Sequence, residues 1–387
     1  MSNREVTFTM AQVQRYETIQ AAIEQRMTAG EAAQGLGLSR RQVERLKAKV
    51  RDQGETGVLH GNAGRTPWNR KPDDLKQKVL ALATGEYAAY NFSHLADTLS
   101  SDHKIRLCDE TLRGWLRPLG HGRPPRRAKA HRLRRRRKDH EGEWLFLDGS
   151  PHAWFGPDHE SVCLLLATDD ATGKPLRGKF QPHEDRDGCF EVCYHVFRTF
   201  GLNGLWYLDR AAHFVTTRHG GLHVAQRLQQ DDTPFQQAMQ RLAIGVQFAH
   251  SPQARGRGER INGSFQGRLV AELMHEGITD CTIATRYLNR VFIPRYAKRF
   301  GRKPADPKHA WRPVPDGLDL RTVLCVRHQR TVANDNTISL DGVAYQLLPS
   351  AGRNHLADAV VEVQQWFDQS VHCVHPRYGE VRLKGIL

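Results

Sequence analysis

Apolar residues recur along this chain at two different periods, and the change of period marks out its parts. Between residues 11 and 52 the spacing is helical: Ile19, Ala22, Ile23 and Met27 share one stripe, and Val43, Leu46 and Val50 another. Thr28-Ala29-Gly30-Glu31 has the Ser/Thr-x-x-Glu form of a capping box, and Ser39-Arg40-Arg41-Gln42 repeats it with Gln. Gly35-Leu36-Gly37-Leu38 lies between them, so the pattern predicts three helices with a tight turn before the third, a helix-turn-helix unit over 10–53. A second helical unit is expected over 70–118. Asp73 to Thr84 is amphipathic through Leu75, Val79, Leu80 and Leu82; Ser93 to Leu99 is short; Asp109 reads as the cap of Glu110 to Arg117.

From Trp144 the chain switches to short apolar runs bounded by polar turns. These predict strands at Trp144–Asp148, Ser161–Asp169, Pro175–Gln181, Leu205–Asp209 and Val246–His250, with helices at Asp187–Phe200, Pro234–Leu242 and Arg257–Glu276. Three hairpin-like strands followed by alternating helix and strand fit a mixed sheet flanked by helices, a ribonuclease-H-like α/β core over 141–285. A Pro-broken bridge spans 286–317. Residues 318–387 are β-rich, with runs at Arg321–Arg327, Thr337–Leu340, Val343–Leu347, Ala359–Phe367 and Val371–Val374 and an Asp341-Gly342 hairpin turn. A small β-barrel is expected there, which makes the whole chain a multidomain α+β protein.

Charge adds a partner. Lys and Arg outnumber Asp and Glu by 57 to 42, a formal net charge of +15 over 387 residues, which favours a polyanion such as DNA. The excess is local: Arg117 to Lys138 reads RPLGHGRPPRRAKAHRLRRRRK, too polar to bury a core, so 119–140 is expected to be an extended basic linker that follows phosphates through Arg126, Arg127, Arg134, Arg135, Arg136 and Arg137. Arg40, Arg41, Arg45 and Lys47 on the third helix, and Arg113 and Arg117 in the second unit, are further expected DNA contacts. No apolar run approaches the roughly 18 residues that span a bilayer, and MSNREVTFTM lacks the apolar core of a signal peptide. A soluble, cytoplasmic protein without membrane contact is therefore expected. Seven scattered cysteines with no Cys-x-x-Cys pair suggest reduced thiols rather than disulfides or a zinc knuckle.

Three acids carry the candidate chemistry. Asp148 ends the run Trp144-Leu145-Phe146-Leu147 and Asp209 ends Leu205-Trp206-Tyr207-Leu208, the strand-end positions at which open α/β sheets place their sites. Glu259 lies off the buried stripe of a helix whose Ile261, Phe265, Leu269 and Leu273 recur every fourth position. Carboxylate oxygens of this kind suit Mg²⁺ or Mn²⁺. Arg255, Arg257 and Arg260 bracket Glu259 and are expected to clamp phosphate, with Asn262 and Gln266 as further contacts. Asp169 and Asp170 precede Ala-Thr-Gly and are expected to be turn formers.

Leu147-Asp148-Gly149-Ser150-Pro151-His152, Asp169-Asp170-Ala171-Thr172-Gly173, Leu208-Asp209-Arg210 and Ser251-Pro252-Gln253-Ala254 through Glu259-Arg260-Ile261-Asn262-Gly263 stand in one order. In these pieces the chain resembles the DDE transposases of bacterial insertion sequences, ISNCY-like members of the retroviral-integrase superfamily. The resemblance runs over about 10 to 350 and is densest between 144 and 273; Gly258 and Leu208 depart from the family's usual residues. It implies that Asp148, Asp209 and Glu259 are catalytic and hold two Mg²⁺ ions, for which Mn²⁺ can substitute. It also implies binding of double-stranded DNA at the terminal inverted repeats and at the target, and assembly of a homodimer or tetramer on DNA. A bacterial cytoplasmic enzyme, nucleoid-associated when DNA-bound, follows from the same resemblance. Two other readings are a non-catalytic DNA-binding regulator derived from a transposase and a structure-specific nuclease of the same fold.

Overall fold

A computed structural model describes residues 8–62, 68–121, 135–209, 214, 232–249, 256–348 and 355–386. The chain divides into two compact units, Met1–Lys76 and Gln77–Leu387.

In the first unit, helices α1 (Met10–Ile23), α2 (Ala29–Leu36) and α3 (Arg40–Gln53) enclose Ile19, Ala22, Ala32, Ala33, Val43, Val50 and Val58. The boxes at Thr28/Glu31 and Ser39/Gln42 both form, and a third at Thr9/Gln12 opens α1. Gly37 closes α2 at φ 62°, a left-handed conformation that glycine adopts without the Cβ clash of other residues. Apolar positions of α3 face inward, which leaves Arg40, Arg41 and Arg45 exposed; Lys47 is half-buried and pairs with Glu44 at 3.4 Å.

The second unit opens with the rest of α4 (Asp73–Thr84), then α5 (Phe92–Ser101) and α6 (Asp109–Leu116). Asp109 is the first residue of α6 rather than its cap; Cys108 takes that position without a capping bond from its side chain to the helix backbone, and Asp109 and Glu110 sit in the first turn, where the helix dipole favours negative charge. A five-stranded sheet follows, built from β1 (Trp144–His152), β2 (Val162–Asp169), β3 (Pro175–Gln181), β4 (Leu205–Leu208) and β5 (Gly245–Phe248) in the order β3-β2-β1-β4-β5. β2 runs antiparallel to both of its neighbours, β1 and β3, while β4 pairs parallel with β1 and β5 parallel with β4, so the expected mixed sheet is present.

Both faces of this sheet are covered, which explains why β2 reads as an unbroken apolar run. Leu145, Leu147, Leu165 and Trp206 meet Phe190, Val196 and Phe197 of α7 (Arg186–Phe200) and Phe235 and Met239 of α8 (Pro234–Arg241). Leu164 and Leu166 point the other way, into Phe265, Leu269, Leu273, Leu288, Phe292 and Tyr296. Those residues belong to α9 (Gly256–Gln266), α10 (Leu269–His275), the π turn Leu288–Phe292 and α12 (Ile293–Phe300), and α11 (Cys281–Tyr287) adds Ala284 to the same cluster.

The single helix expected over Arg257–Glu276 is thus two, broken at Gly267-Arg268. The break is built by contacts from α5: Asn91 donates to the Gly267 carbonyl at 2.7 Å, and Arg268 donates to Asp97 at 3.0 Å and Ser93 at 2.9 Å. Next to it lies a buried polar network. Glu272, 7% exposed, meets His94 Nε2 at 2.9 Å, accepts from Tyr287 Oη at 2.7 Å and pairs with Arg295. Burial would raise the Glu272 carboxyl, but the His94 and Tyr287 hydrogen bonds and the Arg295 charge hold it below the usual carboxylate range. Burial pushes His94 down, so a neutral ring shares its Nε2 proton with Glu272.

The C-terminal residues form two small sheets over one core of Val332, Ile338, Leu340, Leu347, Val361, Val363, Cys373 and Val381. One has the order β11-β10-β9-β6 and the other β12-β8-β7, with β6 Cys325–Thr331, β7 Thr337–Leu340, β8 Val343–Leu347, β9 Val360–Trp366, β10 Val371–His375, β11 Gly379–Val381 and β12 Leu383–Ile386. Asp341 and Gly342 make the expected hairpin turn with φ 50° and 83°. The closed barrel is not found among the described residues. A barrel needs one unbroken ladder around its circumference, and here β12 pairs back onto β8 while the two sheets stay separate. The predicted strand over Arg321–Arg327 starts only at Cys325, because Asp319 caps a tight turn at Leu320–Thr322. Among the described residues no helix is long and apolar enough to cross a membrane.

Candidate active site

Asp148 is not at the end of its strand. β1 continues to His152 and pairs antiparallel with β2, Asp148 opposite Leu166 and His152 opposite Val162. Its parallel pairing with β4 does stop early: Trp144, Leu145 and Phe146 face Leu205, Trp206 and Tyr207. Asp148 lies two residues beyond Phe146, and Asp209 two beyond Tyr207, so the two-residue period sends both toward the side where Phe146 and Tyr207 pack together. The two aspartates line one small cleft with Phe146, Leu147, Tyr207, Leu208 and Gly258.

Helix α9 lies across this cleft. A Cβ on Gly258 would stand 3.4 Å from Asp148 Oδ2, so the glycine that departs from the family pattern lies directly beside the carboxylate. One turn on, Asn262 donates from Nδ2 to Asp148 Oδ2 at 2.8 Å, and Gln266 donates to Ser150 Oγ at 3.2 Å. Asn262 and Gln266, expected as DNA contacts, instead both face β1, a pairing between distant segments that spacing along α9 alone does not reveal. Glu259, next to Gly258, is exposed in the first turn. Among the described residues no three acids, histidines or cysteines are gathered closely enough to hold a metal ion. Asp148 and Asp209 therefore fit a divalent cation in donor chemistry, as hard oxygens in one cleft, while Glu259 does not complete a triad in this arrangement.

The neighbouring Asp-Asp pair divides its work. Asp169 is the turn former: it accepts from Gly142 N at 2.9 Å, Thr172 N at 2.8 Å and Thr172 Oγ1 at 2.6 Å, and burial still pushes its carboxyl above the ordinary value despite these bonds. Asp170 instead receives arginines. Arg135 Nη2 donates to it at 2.8 Å and Arg257 Nη1 also bonds to it, while Arg137 donates to its carbonyl at 2.5 Å.

The expected DNA contacts are distributed accordingly. Arg135, Arg137 and Arg257 are engaged at Asp170. Arg136 is exposed and pairs with Asp139 at 3.0 Å, Arg113 is half-buried against Glu110 and lies 5.8 Å from the Phe92 ring, and Arg117 and Arg260 are exposed. Arg126, Arg127, Arg134 and Arg255 lie outside the described residues.

No family model matches the chain. It is 31% identical over 360 residues to "Putative transposase y4bF" of Sinorhizobium fredii, covering 92% of this chain and 77% of that protein. It is 28% identical over 373 residues to the transposase for insertion sequence IS1202 of Streptococcus pneumoniae, covering 87% and 78%. Among solved structures, the integrase catalytic core of HTLV-2 in complex with magnesium shares 14% identity at a TM-score of 0.29, over 40% of this chain and 86% of that one. The intasome of simian T-cell lymphotropic virus in complex with the PP2A regulatory subunit B56 gamma shares 14% at 0.31, over 67% and 85%. Identity of 31% spread over most of both sequences makes this chain a member of the transposase family to which y4bF belongs.

Proposed function

We propose that the chain is an insertion-sequence transposase that binds the terminal inverted repeats of its element, cleaves a phosphodiester bond at each end and joins the freed 3′-OH to target DNA. The observation that supports this best is the convergence of Asp148 and Asp209 in one cleft beneath the first turn of α9. Asp148 and Asp209, with Glu259, would hold two Mg²⁺ ions. When bound, such a pair supplies an acidified nucleophile and neutralises charge on the departing oxygen. The protein's own share is positional. Asn262 holds the Asp148 carboxylate in one orientation, Phe146 and Tyr207 give the cleft an apolar floor, and Gly258 sets the α9 backbone beside the cleft, from where the Glu259 side chain would turn inward.

Around this core, residues 10–53 would read the major groove through Arg40, Arg41 and Arg45 of α3, with Lys47 at the edge of the contact. Residues 70–118 would add Arg113 and Arg117, the 119–140 linker would track phosphates through Arg126, Arg127, Arg134 and Arg136, and Arg255 and Arg260 would clamp DNA beside Glu259. Residues 318–387 would bind DNA or a second subunit. The protein would act in the bacterial cytoplasm, on the nucleoid when DNA-bound.

The ungathered third acid favours one competing reading, a DNA-binding regulator that has kept the fold without the chemistry. A Mn²⁺ titration separates the two. The enzyme should take up two ions per chain with an affinity that falls on Asp148→Ala or Asp209→Ala, whereas a regulator should take up none specifically.

One site acts on one strand at a time, yet an element has two ends. A homodimer or tetramer on DNA is therefore proposed, with each subunit gripping one end and cutting the other. A variant altered only at Arg40, Arg41 and Arg45, mixed with one carrying only Asp148→Ala, should regain joining activity. A mixture as inactive as its parents, despite shown co-assembly, would rule out cleavage in trans.

A further inference from the structure

Asp170 follows β2, and its side chain is 0% exposed. A carboxylate buried so completely is costly unless it is paired, and here its bonds all come from two other segments. Arg135 Nη2 and the backbone N of Lys138, both from the C-terminal end of the basic linker, donate to it at 2.8 Å. Arg257 of α9 donates to the same carboxylate from Nη1 and to the Arg135 carbonyl from Nη2. The Arg135 guanidinium in turn lies 4.9 Å from the Trp144 ring and 5.9 Å from those of Phe146 and Tyr207, the apolar floor of the cleft that holds Asp148 and Asp209.

Arg257 stands between Gly256 and Gly258, two residues before Glu259. Glycine is the poorest helix former apart from proline, so this first turn has little stiffness of its own. An arginine anchored at both forks of its guanidinium supplies the setting that the backbone lacks. We infer that Asp170 is a positioning residue for Glu259: through Arg257 it fixes where the first turn of α9 stands above Asp148, and through Arg135 it ties that setting to the basic linker. The inference rests on Glu259 being a metal ligand, as proposed above.

The test uses the full-length chain and Mn²⁺ alone, read by electron paramagnetic resonance. Asp170→Asn and Arg257→Gln should each weaken Mn²⁺ binding by about tenfold or more, the range seen when a group that orients a ligand is removed. The double variant should be no weaker than either single one, because both break the same link. In a Glu259→Gln background, where the ligand itself is gone, neither substitution should matter further. Arg257→Gln is the safer of the two for folding, since it leaves Asp170 bonded to Arg135 and Lys138. Mn²⁺ binding unchanged in a folded Arg257→Gln while Glu259→Gln weakens it would overturn the inference and leave the metal site standing. Unchanged binding in Glu259→Gln would remove the ligand assignment, and the positioning role with it.

Discussion

Alanine at Asp148, Asp209 or Glu259 is expected to abolish nicking of an element-end oligonucleotide and joining of its 3′ end together, while end binding stays within a few-fold. Removing a group that merely orients a metal ligand costs on the order of 10–100-fold, and removing the ligand itself should cost more. The Asp148 substitution has a second effect that must be separated from the first. It strips the acceptor from Asn262 Nδ2, which sits 2.8 Å away in a largely buried setting, and an orphaned buried donor costs about 1–3 kcal/mol. Melting curves and end-binding assays on all three variants therefore accompany the activity measurement. Strand transfer that survives in all three would refute the catalytic assignment outright. Loss confined to Asp148 and Asp209, with Glu259→Ala active, would leave the two-aspartate cleft and withdraw the third ligand.

The second large effect is on stability. Glu272→Ala should destabilise the unit that contains it by about 3 kcal/mol, the lower end of the cost of breaking a buried charged network. Glu272 is 7% exposed and gathers His94, Tyr287 and Arg295 from α5, α11 and α12. The lower end is the right choice because Arg295 is more than half exposed and can return to water, whereas the buried His94 and Tyr287 hydroxyl would each lose a partner. Urea unfolding followed by tryptophan fluorescence measures this, with Arg299→Ala, an exposed partner of Asp97, as a control expected to cost under about 1 kcal/mol. A Glu272→Ala midpoint no lower than that of the control would show that the network contributes little.

Much of this was readable from local chemistry. Helix starts at Thr28 and Ser39 follow from hydroxyl and N3 side chains three residues apart, the turn at Asp341-Gly342 from two residues that tolerate positive φ, and the two-sided burial of the sheet from unbroken apolar runs. The apolar runs that precede Asp148 and Asp209 were readable as well, but the parallel register Phe146–Tyr207 that brings the two aspartates to one cleft is tertiary. Other features were set by partners far away in the chain. Gly149-Ser150-Pro151 has the composition of a turn, yet it continues as strand because β2 lies alongside and supplies a ladder as far as Val162.

What the sequence determined on its own, then, is whatever depends on neighbours within a few residues: helix caps, the two periods, the hairpin turn, the excess of positive charge and the identity of the acids. Tertiary structure decided what depends on which distant groups meet. Asn91 and Arg268 break one predicted helix into α9 and α10, and Asn262 turns inward to Asp148. Asp170, one residue from the turn former Asp169, becomes the anchor of Arg135 and Arg257. A buried carboxylate must find its cations wherever the fold brings them, and neither the period of the strand nor the spacing of the motif records which arginine arrives.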